Sequence, residues 1–307
     1  MKGAPSGRGI AIGLLFAVFL WGGNNTGVKV LVTSWPPAWV GATRFFLAGL
    51  LLLALLRWTN WLGRATPLTQ ETNRELWRRG TLSLAAYTFV FNWALKFTSP
   101  AHVALYLAAS PVWALLLEGT SDKSWRHLLH RYGSAALTLL GVLILFWPAL
   151  KASHGHAGGE LLGLLASFAW TQYARDCRVL GRSLTGADIA AHTMWRSGAL
   201  LLPLAGIEVL IAGGVVWRTD LIVVQSFCII AGGVVAFALW NNGLRHWPVS
   251  RVFLFFNLIP LSTSLWSRVW LKEPILPTFW VAMVLVASGV ILGQMKLGAG
   301  VEGDRDD

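Results

Sequence analysis

The chain has 307 residues, 55% of them apolar and only 13% charged, with a mean hydropathy of +0.58, which excludes an ordinary soluble globular protein. Its net charge of +11 fits nucleic acid or anionic lipid only if the basic residues cluster, so their placement along the chain decides. The two cysteines, Cys177 and Cys228, match no metal-ligand spacing and no disulfide framework; they read as small apolar packers, and no metal or cofactor is expected.

Segments of about 20 apolar residues, each long enough to cross a hydrocarbon core of about 30 Å as a helix, recur along the whole sequence. They fall at 10–31, 38–57, 80–98, 100–118, 132–149, 160–180, 187–211, 221–245, 249–271 and 275–296, separated by Pro, Gly or charged connections. The expected fold is an all-α polytopic membrane protein of ten helices. Met1 to Leu20 has a charged start and an apolar core but no convincing small-residue cleavage site, so it reads as part of a retained first span.

In chain order, the first span carries FLWGGNNTGVK, with Trp21, Asn24 and Asn25 among glycines. An amide in hydrocarbon is costly unless hydrogen-bonded, so these residues must face other helices or a cavity. Span 2 carries Arg44 and span 3 carries Tyr87 and Asn92; span 4 has His102 near one end, then Tyr106 and Pro111. Span 6 contributes Trp170 and Tyr173, span 7 Arg196, span 8 Trp240, Asn241 and Asn242, and span 9 Asn257 three residues before Pro260. Other tryptophans, such as Trp35, Trp58, Trp217 and Trp280, lie at span ends and read as interfacial anchors.

Ten crossings put both ends on one side. Of the 25 Lys and Arg residues, 17 fall on that side and 6 on the other, with Arg44 and Arg196 inside spans. The bias obeys the positive-inside rule and places both termini in the cytoplasm. The basic charge is therefore topological, and no nucleic-acid partner is needed to explain it.

The two halves match at one offset. Pro111 and Pro260, Trp21 and Trp170, Gly49 and Gly198, and Asn92 and Asn241 are each 149 residues apart. Each half, 1–149 and 150–307, therefore holds five spans, and an odd number forces the second half into the membrane in the opposite sense. Inverted repeats of this kind mark secondary transporters, with the substrate held near the midplane between them. Signatures of an intramembrane enzyme are missing: there is no HExxH, no GxSxG, no P-loop and no second mid-membrane aspartate, so no enzymatic activity is expected.

The sequence resembles the drug/metabolite transporter superfamily, in its ten-helix EamA-type branch. FLWGGNN in span 1, ATRFFLAGLLLL in span 2, the run from Ala94 to Pro111 through KFTSPAHVALYLAAS, and FNLIPLSTSLWSRVWLKE in span 9 carry the resemblance. Within the branch it looks most like bacterial exporters of aromatic and other amino acids, which implies a multi-pass protein of the inner membrane, a monomer or homodimer. The resemblance also implies core spans 1, 3, 4, 6, 8 and 9, with 5 and 10 peripheral. The second half keeps the family's glutamate as Glu273, whereas the corresponding place in the first half is Ser124, with Glu118 the nearest acid.

Deep aromatics beside amides suit a zwitterion with an apolar or aromatic side chain, through stacking and directional hydrogen bonds. The candidate substrate residues are Trp21, Asn24, Asn25, Arg44, Tyr87, Tyr106, Trp170, Tyr173, Trp240, Asn241 and Asn257, with Pro111 and Pro260 as hinges. Arg44 and Arg196 are each candidates for a substrate carboxylate, although bracing of helix ends through backbone carbonyls is the commoner role of a buried arginine. Only Asp176 and Glu208 among the acids fall inside spans, both near an end, which favours a substrate-gradient facilitator or a weakly coupled carrier, with His102 as the alternative proton site and otherwise a membrane-interface histidine. The competing cargo is a phosphorylated metabolite, which would need concentrated positive charge, or a drug-like compound.

Overall fold

The computed structural model describes residues 7–59, 65–97, 100–118, 125–152, 157–272 and 274–295. Ten helical rods run through them in alternating directions. They are α1 (Gly7–Leu31), α2 (Pro37–Trp58), α3 (70–97), α4 (100–118), α5 (Trp125–Ala152), α6 (Ala157–Leu180), α7 (Gly186–Ile211), α8 (Thr219–His246), α9 (Val249–Trp270) and α10 (Pro277–Gln294). The face on which α1 begins and α10 ends is called terminal, and the opposite one distal. Seven rods are long and apolar enough to span by those criteria alone, namely α1, α2, α5 and α7 to α10. The other three are shorter or more polar: α4 is cut into two nine-residue pieces, α6 carries TQYARDC, and the apolar part of α3 is only 16 residues long.

Local sequence sets the boundaries. Pro37, Pro248 and Pro277 stand at helix starts, where a missing N–H costs nothing. α7 begins with a reciprocal cap: the Thr185 hydroxyl accepts from the Asp188 amide at 3.1 Å, while the Asp188 carboxylate accepts from the Thr185 amide at 3.2 Å. The span expected at 80–98 starts earlier, at Gln70, because Thr69 accepts from the Thr72 amide and caps a polar turn that hydropathy reads as loop.

α4 and α9 are broken at matching points. Pro100–Ala108 ends before Ser110–Glu118, and Val249–Phe256 before Ile259–Trp270. Ala109 and Leu258, at the two breaks, are again 149 apart. Pro111 and Pro260 supply the cause, since each removes one ladder donor and crowds the carbonyl four residues back. Wide π turns at Trp77–Thr81 in α3 and Cys228–Val235 in α8 fall at near-equivalent positions as well.

The pseudo-symmetry is visible in packing detail. A methyl on Gly49 would overlap the Trp195 backbone, and one on Gly198 would overlap the Phe46 backbone, so each contact is the other's image under the offset of 149. Gly141 lies against Val286 and Ala282, and Gly289 against Thr138 and Ser134; here the images are related by 148, which locates a one-residue slip between the fourth and fifth helices of the repeats. Lipid supplies no hydrophobic drive for helix association, so close backbone approach through small residues does this work. α2 crosses α7 and α5 crosses α10 on the symmetry axis, while α3 lies on α6 as α8 lies on α1.

Candidate functional site

Burial in this fold means coverage by protein, and the most covered large side chains gather at the centre. The Trp21 ring lies 5.9 Å from Trp170, 5.0 Å from Trp240 and 5.2 Å from Phe237, centroid to centroid. Trp170 in turn lies 4.9 Å from Tyr87, 5.4 Å from Tyr173 and 5.6 Å from Phe256. The two tryptophans matched by the repeat therefore meet across the axis. Trp21 is pinned by its indole N–H, which donates to the Gly232 carbonyl of α8 at 2.9 Å. Gly232 admits this approach because it lacks a side chain; a methyl there would run into Asn24. The cluster is a floor of π surface of the kind that holds planar or apolar groups by stacking.

On the distal side of this floor, Asn24 and Arg44 form a polar wall. The Asn24 carbonyl oxygen accepts from Arg44 Nη1 at 3.1 Å, and the Arg44 guanidinium sits 4.7 Å over the Phe45 ring. Arg44 also lies within electrostatic reach of Tyr87 and Cys228. Asn25 behaves differently from its neighbour. It falls on the stripe of α1 that holds Leu14, Val18 and Trp21, all covered, yet Asn25 itself is exposed. The lipid-facing stripe is a separate one, with Ile12, Phe16 and Phe19 uncovered. Asn25 therefore looks into open space between helices, one turn beyond Trp21 toward the distal face. Its repeat equivalent, Ala174, is fully covered.

That difference has a structural origin at the terminal face. Glu118, the last residue of α4, accepts from the amides of Val249 and Ser250 and, at 2.5 Å, from the Ser250 hydroxyl, so it caps the start of α9. Arg131 of α5 reaches the same carboxylate at 3.5 Å and Ser250 at 3.4 Å. Arg178 donates to the carbonyls of Leu244 and Trp247, and Arg245 to that of Gly181 at 3.0 Å. Below the floor the Tyr173 hydroxyl meets Thr193 at 3.1 Å and accepts from Asn241 at 3.4 Å, all fully buried. Toward the distal face the broken rods part: Pro100–Ala108 packs on α6 and α5, and Ile259–Trp270 on α1 and α10. The molecule is closed on the terminal side and splayed on the distal side.

The structure thus brings together Trp21, Asn24, Asn25, Arg44, Tyr87, Trp170, Tyr173 and Trp240, with Asn241 sealed beneath. Tyr106 lies one helix away, its ring against Gly163 of α6 and its hydroxyl beside Glu160. Asn257 turns outward: its amide donates to Thr138 of α5 at 2.8 Å. Pro111 is buried at the break in α4 and Pro260 begins the second half of α9. Arg196 is engaged at the terminal side, donating to Asn73 at 2.7 Å, pairing with His192 at 2.8 Å and lying over Trp195 at 4.6 Å. The His102 side chain, Ser124 and Glu273 lie outside the described residues. Phe237 and Phe256 belong to the floor without having been singled out from sequence; the three-residue spacing of Phe237 to Trp240 and of Phe253 to Phe256 was the available signal. Glu118 likewise stood out only as the acid nearest Ser124, the place that corresponds to Glu273, and not as a cap on a helix 131 residues away.

Residues 8–147 and 157–293 each match the model of the EamA-like transporter family. The chain belongs to the EamA-like transporter family. The two matched segments coincide with the five-helix halves. Among the relatives of this EamA-type chain, a probable amino-acid metabolite efflux pump of Escherichia coli (strain K12) is 21% identical over 290 residues, 92% of this chain and 94% of that protein. The protein of the same description from Salmonella typhimurium is 22% identical over 285 residues, 91% of this chain and 92% of its own length. An uncharacterized inner membrane transporter of Escherichia coli (strain K12) is 28% identical over 202 residues, 65% of this chain and 60% of that protein. A solved crystal structure superimposes with a TM-score of 0.75 over 94% of this chain and 97% of the other at 19% identity, which shows a shared fold. The protein is a multi-pass membrane transporter.

Proposed function

We propose that this EamA-type transporter exports amino acids, aromatic ones among them, across a bacterial inner membrane with both termini in the cytoplasm. The observation that carries the reading is the aromatic floor of Trp21, Trp170 and Trp240 beneath the Arg44–Asn24 wall, open on one face and sealed on the other. Stacking holds the side chain, and the guanidinium holds the carboxylate by charge-assisted hydrogen bonds. The description of the two enterobacterial relatives as amino-acid metabolite efflux pumps supports the same cargo.

Transport proceeds by alternating access. The halves of α4 and α9 beyond their breaks exchange partners: in the form described here the terminal halves meet through Glu118, and in the other the distal halves close over the substrate while the terminal ones part. By the charge bias of the loops the present form is open to the outside. Phosphorylated cargo is less well served. Arg268 and Lys272, the cations that would have to join Arg44, sit exposed at the distal end of α9. The test is counterflow in proteoliposomes with labelled amino acids, hexose phosphates and a cationic dye. Amino-acid exchange is expected; exchange of phosphorylated sugars without amino acids overturns the proposal.

A further inference from the structure

The wall and floor of the site are rich in hydrogen-bond donors that have nothing to donate to. The Arg44 Nε–H is buried with no acceptor, although Nη1 is used by Asn24. The indole N–H groups of Trp170 and Trp240 are buried without acceptors too. Arg44 and Trp170 share neighbours, since Tyr87 touches Trp170 and faces Arg44 while Phe237 touches Trp170, Trp21 and the Phe45 ring under the guanidinium; the Trp240 ring lies 6.4 Å from that of Trp170 and 5.0 Å from that of Trp21. Orphaned buried donors are uncommon in native proteins, because each forfeits its hydration without replacement.

The cation is equally without a counter-ion. Among the described residues Arg44 takes part in no ion pair, whereas Arg79, Arg131 and Arg218 each do. The two acids inside spans are engaged elsewhere: Asp176 accepts from Gln172 at 2.9 Å on the terminal side, and Glu208 accepts from the Ala38 amide at 2.6 Å near the distal end. A substrate carboxylate would supply both what the guanidinium and what the orphaned N–H groups lack. A substrate ammonium meets only neutral oxygens, such as the exposed Asn25 amide, and loses hydration for little return.

We infer that the site selects its cargo by the carboxylate and not by the ammonium, so that aromatic monocarboxylates lacking an amino group are ligands alongside amino acids, and aromatic amines are not. The inference rests on the reading of this cluster as the substrate site. Arg44 is then the specificity-determining residue, and the floor is indifferent to what stands at the α-carbon.

The test is equilibrium binding to the full chain in nanodiscs at neutral pH, with labelled phenylalanine and labelled 3-phenylpropanoate as separate probes and phenethylamine as competitor. Binding avoids the passive leak of a lipid-soluble acid through a vesicle. The expected result is a 3-phenylpropanoate Kd within about tenfold of that for phenylalanine, with no displacement of either by phenethylamine. Arg44→Gln weakens both by about 100-fold or more and Arg44→Lys by less, since a point charge replaces the fork. An unchanged thermal unfolding midpoint for Arg44→Lys shows that the loss is not misfolding. Absence of 3-phenylpropanoate binding, indifference of that binding to Arg44→Gln, or displacement by phenethylamine overturns the inference. Phenylalanine binding without 3-phenylpropanoate binding refutes it while leaving the amino-acid reading standing; the opposite pattern refutes the amino-acid reading and the indifference to the α-carbon, and leaves only selection by the carboxylate standing.

Discussion

Glu118→Ala removes the cap that joins the end of α4 to the start of α9, and the cost of that loss falls only on the closed terminal face. In the closed form the carboxylate accepts from two backbone amides and one hydroxyl at the first turn of α9, with Arg131 alongside. When the face opens, water replaces these bonds, so the relevant quantity is the net exchange. A hydrogen bond to a charged group is worth about 1.5–3 kcal/mol net, and the Arg131 contact adds little because both partners retain some exposure. The bonds share one carboxylate and are not additive, so about 2–3 kcal/mol is a reasonable total for the lock. At about 1.4 kcal/mol per factor of ten, that shifts the ratio of terminally closed to terminally open forms by roughly 30- to 150-fold. Cys177 reports the change. It is fully buried on the stripe of α6 that holds Trp170 and Tyr173, toward the terminal face, so opening uncovers it. Alkylation by a small maleimide, followed by peptide mapping to separate Cys177 from Cys228, should accelerate at Cys177 in Glu118→Ala and by less in Glu118→Gln. If both variants insert normally and Cys177 reacts at the wild-type rate, Glu118 is not a gate and the reasoning fails.

Three further outcomes follow from the packing. Gly49→Ala and Gly198→Ala each drive a methyl into the facing backbone of the α2–α7 crossing, and because the contacts are images of each other both should lower stability by a similar amount, about 1–3 kcal/mol, read as a lowered melting temperature in detergent. Asn257→Ala removes the bond to Thr138 inside the α9–α5 contact, while the Thr138 hydroxyl keeps its own bond to the Ala135 carbonyl; it should cost about 0.5–1.5 kcal/mol of stability with substrate affinity unchanged, and a loss of affinity at normal stability would place Asn257 in the site instead. Pro111→Leu restores a donor at the break in α4 and should slow counterflow more than it weakens substrate binding, whereas an unchanged rate with intact folding removes the hinge role.

What could be read from sequence was what repeats and hydropathy carry. Trp21 and Trp170 share an offset, so their meeting at the centre followed from an inverted repeat once the spans were placed. Gly49 and Gly198 share it too, and the structure shows why glycine stands there. The start of α3 was missed because QETNREL is polar; its helix is set by the Thr69 cap and held by the bond from Arg196 to Asn73, to which hydropathy is blind. Direction around a helix was the other gap. Asn24, Asn25 and Asn257 look alike as buried amides in a sequence, but one braces Arg44, one faces open space and one bonds to α5. Those differences depend on which neighbour lies on which side, and on which face of the molecule is closed. The closed face depends in turn on Glu118 meeting Ser250, a contact between repeats that breaks their symmetry and so leaves no mark in the offset.

The central claim is that the space beside Asn25, above the tryptophan floor, is the path of the substrate. Counterflow of labelled phenylalanine in proteoliposomes bearing Asn25→Trp tests it most directly, because a bulky ring at that position fills the open space without touching the lipid-facing stripe of Ile12, Phe16 and Phe19. Normal insertion with exchange abolished is the predicted result. Normal insertion with exchange at the wild-type rate would mean that Asn25 faces lipid, and that the substrate passes elsewhere.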